Sequence, residues 1–247
     1  MTPLHTYVND RGLYGRHGFA ALDWQCRTLL DDLVARIAGG DVLEIGAGEG
    51  LMSLWMLHAG ARSVTSLEPE AAGATDGIGA RADAHRRALG LADERWDYRG
   101  DTFQSFETDR RFRLILSHAS VNHLDEPACE RLLDDESARR RYIELFGKVR
   151  GLLEPGGMFI CADVARENYW ARLGRPSPWA PEIEWHKHQE PETWCEIMRQ
   201  AGLEPVSRQW YLPFYRARHV EPLLDNRIAA RLLASNFVVR AVRPLST

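Results

Sequence analysis

The chain has 247 residues, a formal net charge of −4, 45% apolar residues and 27% charged residues. These proportions are ordinary for a soluble globular protein, and the length suffices to bury a sizeable core. The charge balance leaves no overall basic footprint for nucleic acid, and no apolar run reaches the ~18 residues that would span a membrane.

In chain order, residues 1–20 are rich in aromatic residues and glycine, including Tyr14, Gly15, Arg16 and His17, without a clear period. They lack a basic stretch followed by an apolar core, so no secretory signal is expected. Leu22, Cys26, Leu29, Leu30, Leu33, Val34 and Ile37 recur at helical spacing, and Gly39-Gly40 ends that helix. Residues 42–50 (VLEIGAGEG) read as an apolar strand running into an acidic residue and a glycine-rich turn, and residues 51–57 as a helix. A strand, a tight turn and a helix start aim backbone N–H groups at a ligand. Residues 63–67 alternate as a short strand ending at Glu68, 20 positions after Gly48. A carboxylate at that distance can accept hydrogen bonds from ribose hydroxyls.

Residues 96–101 (WDYRGD) read as a third strand and its exit, and residues 112–116 as a fourth, buried strand. Tyr142, Phe146, Val149 and Leu153 form an apolar helical stripe, and residues 158–162 a fifth strand. The alternation of strands and helices argues a doubly wound, mostly parallel α/β sheet with helices on both faces. Residues 166–190 break the rhythm: Pro176, Pro178 and Pro181 forbid a regular helix, and Tyr169, Trp170, Trp179 and Trp185 make the stretch aromatic. A helix over 191–201 follows, with Pro191 at its first position and Gly202 beyond its end. Residues 210–212 and 237–239 suggest two last strands, with a helical segment over 220–233 between them. Cys26, Cys129, Cys161 and Cys195 are widely separated, which suits reduced thiols in a cytoplasmic protein.

The glycine spacing separates two ligands. A dinucleotide fingerprint places its third glycine five positions after the first, and that position here is Leu51. The pattern Glu44-x-Gly46-x-Gly48-x-Gly50 is instead similar to motif I of the class I S-adenosylmethionine (SAM) methyltransferases. Glu68-Pro69-Glu70 resembles the segment after their second strand, and residues 152–157 (LLEPGG) resemble the turn before their fifth. The resemblance covers residues 40–165 well and the remainder loosely. It implies a seven-stranded sheet with an antiparallel C-terminal strand, SAM as cofactor, and a donor site drawn from Glu44, Gly46, Ala47, Gly48, Glu68, Asp101, Thr102 and Ser117. It also implies an N-terminal lid over residues 1–40, ahead of a donor-binding domain over 41–247 with a substrate-facing insert at about 166–190.

In open α/β sheets the ligand sits at the carboxyl ends of the strands, so the exit of the fourth strand, residues 117–125 (SHASVNHLD), points at the reacting centre. It lacks the motif of enzymes that methylate nucleobase amines, and His118 stands where metal-dependent catechol enzymes of the family carry an aspartate. A hydroxyl acceptor needs its proton removed, which suits a neutral imidazole; His118 and His123 are the expected catalytic bases. Asn122, Tyr14, His17, Trp185, His186 and His188 are expected to face the acceptor. His186 and His188 point the same way if their segment is extended, yet no spacing supplies further metal ligands, so no metal is expected.

The leading expectation is therefore a methyltransferase acting on a small-molecule hydroxyl, on a sugar or specialised metabolite, with no nucleic-acid or membrane partner. A homodimer is left open. The alternatives are a protein or RNA methyltransferase, an NAD(P)-dependent oxidoreductase, and a nucleotide-binding protein without turnover.

Overall fold

The computed structural model describes residues 3–30, 33–70 and 76–245. Helices α1 (Leu4–Asp10), α2 (Gly18–Leu30) and α3 (Val34–Ile37) precede strand β1 (Asp41–Ile45). Then come α4 (Leu51–His58), β2 (Ser63–Leu67), α5 (Ile78–Leu89), β3 (Trp96–Arg99) and β4 (Phe112–His118). Helices α6 (Glu126–Glu130) and α7 (Glu136–Leu152) lead into β5 (Leu153–Val164). The chain ends through α8 (Tyr169–Arg172), α9 (Pro191–Gln200), β6 (Glu204–Trp210), α10 (Glu221–Leu224), α11 (Arg227–Leu232) and β7 (Asn236–Val242). The strands form one sheet in the order β3-β2-β1-β4-β5-β7-β6. β1, β2 and β3 run parallel, and β7 is antiparallel to both β5 and β6. This is the doubly wound sheet the sequence pattern implies.

Two compact units divide the chain, Met1–Leu116 and Ser117–Thr247. In the first, every residue of β1 and β2 is buried, as expected for strands covered on both faces. Trp55 of α4 and Trp96 of β3 fill its core. Gly50 starts α4 in the left-handed region, at φ +81°, and a Cβ there would lie 2.2 Å from Trp96 Cζ2. Only glycine lets the helix begin so close to that ring.

In the second unit, Tyr142 and Phe146 of α7, Phe159 of β5 and Trp194 of α9 pack ring against ring. Helix α7 is capped by Asp135, which accepts from the backbone N–H groups of Ser137 and Ala138. Such a cap contributes about 1 kcal/mol. No helix of the described residues is long and apolar enough to cross a membrane.

Several boundaries differ from the sequence pattern, among them the helix expected over 220–233, which is divided between α10 and α11. The stripe over residues 22–37 is divided between α2 and α3, with residues 31–32 outside the described ones. Strand β5 begins at Leu153 rather than 158, because the glycine turn is drawn into the ladder: Gly156 N–H donates to Arg243 O at 2.9 Å and Arg243 N–H to Gly157 O at 2.8 Å. Strand β6 lies upstream of residues 210–212. It is an edge strand exposed over most of its length, so its pattern is polar, and the apolar triple Trp210, Tyr211 and Leu212 is the buried segment where it ends.

Candidate active site

On the donor side, in the first unit, the loop after β1 folds across the end of β2. Leu67 O accepts from both Gly46 N–H (2.9 Å) and Ala47 N–H (3.1 Å). That contact carries Gly48 to Glu68, whose Oε2 accepts the Gly48 N–H at 2.8 Å. The other side of the same residue is held by Tyr98 of β3, whose hydroxyl donates to Gly48 O at 2.7 Å. With its backbone fixed at both ends, Gly48 sits at φ +54°, and nothing lies within 4 Å of where a Cβ would be. Gly50 packs against protein, whereas Gly48 faces open space. Glu68 Oε1 has no protein partner among the described residues and is free to accept from a ribose hydroxyl.

Glu44 does not face that space. It is buried beneath the turn, opposite Ser66 in the β1–β2 ladder, and accepts from the Ser53 hydroxyl. Ser53 is 2.6 Å from Ser66 Oγ, which in turn accepts from Trp96 Nε1 at 2.8 Å. Burial pushes the Glu44 carboxyl up to about 8, against the pull of its Ser53 hydrogen bonds, and the nearby Glu68 charge adds to the rise. Glu44 is thus a largely protonated strut beneath the glycine turn at neutral pH.

Asp101 is half-buried just beyond β3. Thr102 is turned into its own loop, where Oγ1 accepts from Ser105 N–H at 3.1 Å. At the N-terminus, Tyr14 adopts a left-handed backbone and donates its hydroxyl to Gln25, while His17 is exposed and accepts from Arg16 Nε at 3.3 Å. Sequence reasoning missed the link between α1 and the glycine turn. Tyr7 OH is 2.8 Å from His85 Nδ1, His85 Nε2 is 3.6 Å from Glu49, and Arg81 holds Glu49 at 2.6 Å. No periodicity announces such a chain of single polar contacts.

On the acceptor side, in the second unit, Ser117 is buried with its hydroxyl 2.8 Å from Ser120 Oγ. His118 closes β4, and burial lowers its pKa, partly offset by the negative charge of Asp163. Asn122 is buried, and its side-chain oxygen has no hydrogen-bond partner among the described residues. His123 is 58% exposed and its Nδ1 lies 2.5 Å from Glu126.

The 166–190 segment is built from α8 and short turns rather than being fully extended. Trp185, His186 and Lys187 form a single 3-10 turn. This corrects the expectation that His186 and His188 point alike: two-residue alternation holds only in extended backbone. His186 is exposed, 3.7 Å from Glu130, whereas His188 is buried against Asp163. Among the described residues no group of three His, Cys, Asp or Glu side chains is gathered as metal ligands. The segment is anchored: Asn168 donates to Ser235 Oγ at 3.1 Å, Trp170 Nε1 to Leu232 O at 2.8 Å, and Arg231 pairs with Glu167 and Glu190.

A family model described as a methyltransferase domain matches residues 20–208. The chain belongs to the class I SAM-dependent methyltransferases. The ubiquinone biosynthesis O-methyltransferase of Ruegeria pomeroyi is 30% identical to this methyltransferase over 216 residues, covering 84% of this chain and 75% of the relative. That of Roseobacter denitrificans is 26% identical, covering 89% and 84%. The methyltransferase also shares its fold with a SAM-dependent methyltransferase from Mesorhizobium loti (TM-score 0.59, 18% identity, covering 90% of this chain and 98% of that one). The 1,6-didemethyltoxoflavin N1-methyltransferase of Burkholderia thailandensis gives a TM-score of 0.57 at 16% identity, covering 97% of this chain and 84% of that one. SAM is the cofactor of this methyltransferase, and the open face of Gly48 together with the free oxygen of Glu68 is chemistry that fits it.

Proposed function

We propose that the methyltransferase moves the methyl group of SAM to a hydroxyl oxygen of an aromatic small molecule. The observation that carries the donor half is the Gly48 clamp, with its backbone held from both sides and its open face beside Glu68. The oxygen acceptor is supported by the curated relatives, which are named as O-methyltransferases of ubiquinone biosynthesis. The insert carries Tyr169, Trp170, Trp179 and Trp185, whose rings offer faces and edges on which a flat aromatic acceptor can stack.

When bound, SAM supplies an electrophilic methyl carbon on a sulfonium centre. In this reading the protein grips the ribose through Glu68 Oε1 and keeps the glycine turn rigid through the buried Glu44, Ser53 and Ser66 contacts. The N-terminal helix α1 covers the donor, supported by the contacts of Tyr7 and His85 toward Glu49. An imidazole of the second unit takes the acceptor proton, because a hydroxyl is a poor nucleophile until its proton is accepted.

Isothermal titration tests the donor half: S-adenosylhomocysteine binds and NADH does not, and the reverse order would overturn the reading. A transfer screen of catechols, sugars and amines tests the acceptor half. Methylation confined to amines or sugars would contradict an aromatic hydroxyl.

A further inference from the structure

At the carboxyl end of β5, Asp163 is 2% exposed. A buried carboxylate needs a hydrogen-bonding or charged partner. Its partner is His188, itself 8% exposed, whose Nδ1 lies 3.3 Å from Oδ1 and 3.4 Å from Oδ2. The other imidazole nitrogen, Nε2, has no partner among the described residues. An imidazole held by a buried carboxylate through one nitrogen, with the other free, is the arrangement that makes a proton acceptor. The carboxylate fixes the tautomer and stabilises the imidazolium that forms.

The other titratable groups near Asp163 do not compete for that role. Burial lowers the pKa of His118 of β4, against the pull of the Asp163 charge, which disfavours an imidazolium there. Burial raises the Cys129, Cys161 and Tyr211 groups, which keep their protons. His123 has a carboxylate partner too, Glu126, but that pair is in water, where an ion pair contributes little.

We propose that His188, positioned by Asp163, accepts the proton of the acceptor hydroxyl; this rests on the hydroxyl-acceptor reading above. The O–H proton passes to His188 Nε2. The oxygen lone pair forms the new O–C bond as the C–S bond breaks, and the C–S electron pair stays on sulfur. The imidazolium then releases its proton to water.

The test uses the full chain with S-adenosylhomocysteine and 4-nitrocatechol, whose visible spectrum reports its ionisation, so no turnover is needed. The wild-type protein ionises the bound catechol at a pH about 1 unit or more below that of the free compound. His188→Gln and Asp163→Asn lose that displacement while keeping S-adenosylhomocysteine affinity. Nitrogen NMR of the His188 ring reads the pair without any catechol: in wild type the ring proton sits on Nδ1, toward Asp163, and Asp163→Asn redistributes it between the two ring nitrogens. Unchanged catechol ionisation in His188→Gln overturns the assignment, as does a His188 tautomer unmoved by Asp163→Asn. Absence of catechol binding by wild type, with the tautomer still moved by Asp163→Asn, instead overturns the aromatic-hydroxyl acceptor.

Discussion

The glycine turn makes its sharpest physical prediction at Gly50. An alanine Cβ there would meet Trp96 Cζ2 at 2.2 Å and Cη2 at 2.9 Å. The ring cannot easily yield, since Trp96 is 1% exposed and its Nε1 is bonded to Ser66. Gly50→Ala therefore meets two costs, about 1–2 kcal/mol for a left-handed L-residue and about 1–3 kcal/mol for overpacking, or about 2–5 kcal/mol together. In a chain of this size each kcal/mol moves Tm by about 2–4 °C, so the expected fall is roughly 4–20 °C by calorimetry. Gly90→Ala is the control. It shares the left-handed backbone, at φ +62°, but nothing lies within 4 Å of its Cβ position. It should lose only the strain cost, roughly 2–8 °C. A fall at Gly50 no larger than that at Gly90 would refute the close approach to Trp96.

Two further outcomes follow from the same loop. Glu68→Ala should weaken S-adenosylhomocysteine binding by about 1–3 kcal/mol, roughly 5- to 150-fold by isothermal titration; unchanged affinity would remove Glu68 from the donor site. Glu44 is pushed up to about 8 by burial, whereas an unfolded glutamate titrates near 4.3. Between those values the folded protein binds more protons than the unfolded one, so this group lowers stability as pH rises. The Tm of Glu44→Gln minus that of wild type should grow from pH 5 to pH 8, and parallel Tm profiles would show that Glu44 is ionised in the folded state.

The donor half was legible in the sequence because it is local. Glu44, Gly46, Gly48 and Gly50 lie within seven residues, and the strand pattern at 63–67 ends on Glu68. What that pattern cannot convey is direction: Glu44 turns inward to Ser53, and Thr102 turns into its own loop. The support from Tyr98 was hidden in an unremarkable strand, since its link to Gly48 spans 50 residues. The acceptor half was harder for the same reason. Asp163 sits within an apolar strand and meets His188 from 25 positions away. His186 and His188 looked equivalent until the 3-10 turn sent one to solvent and the other into the protein. The exposed edge strand β6 carries too little apolar signal to be placed by pattern alone.

Transfer of a methyl group from SAM to oxygen is the step on which the chemistry rests. Mass spectrometry after incubating the protein with trideuteromethyl-labelled SAM and a panel of catechols tests this most directly. A single labelled methyl should appear on a ring oxygen, made by the wild-type protein and lost in Glu68→Ala at limiting donor. Label found on nitrogen or carbon, or no transfer to any catechol by a protein that binds S-adenosylhomocysteine, would contradict it.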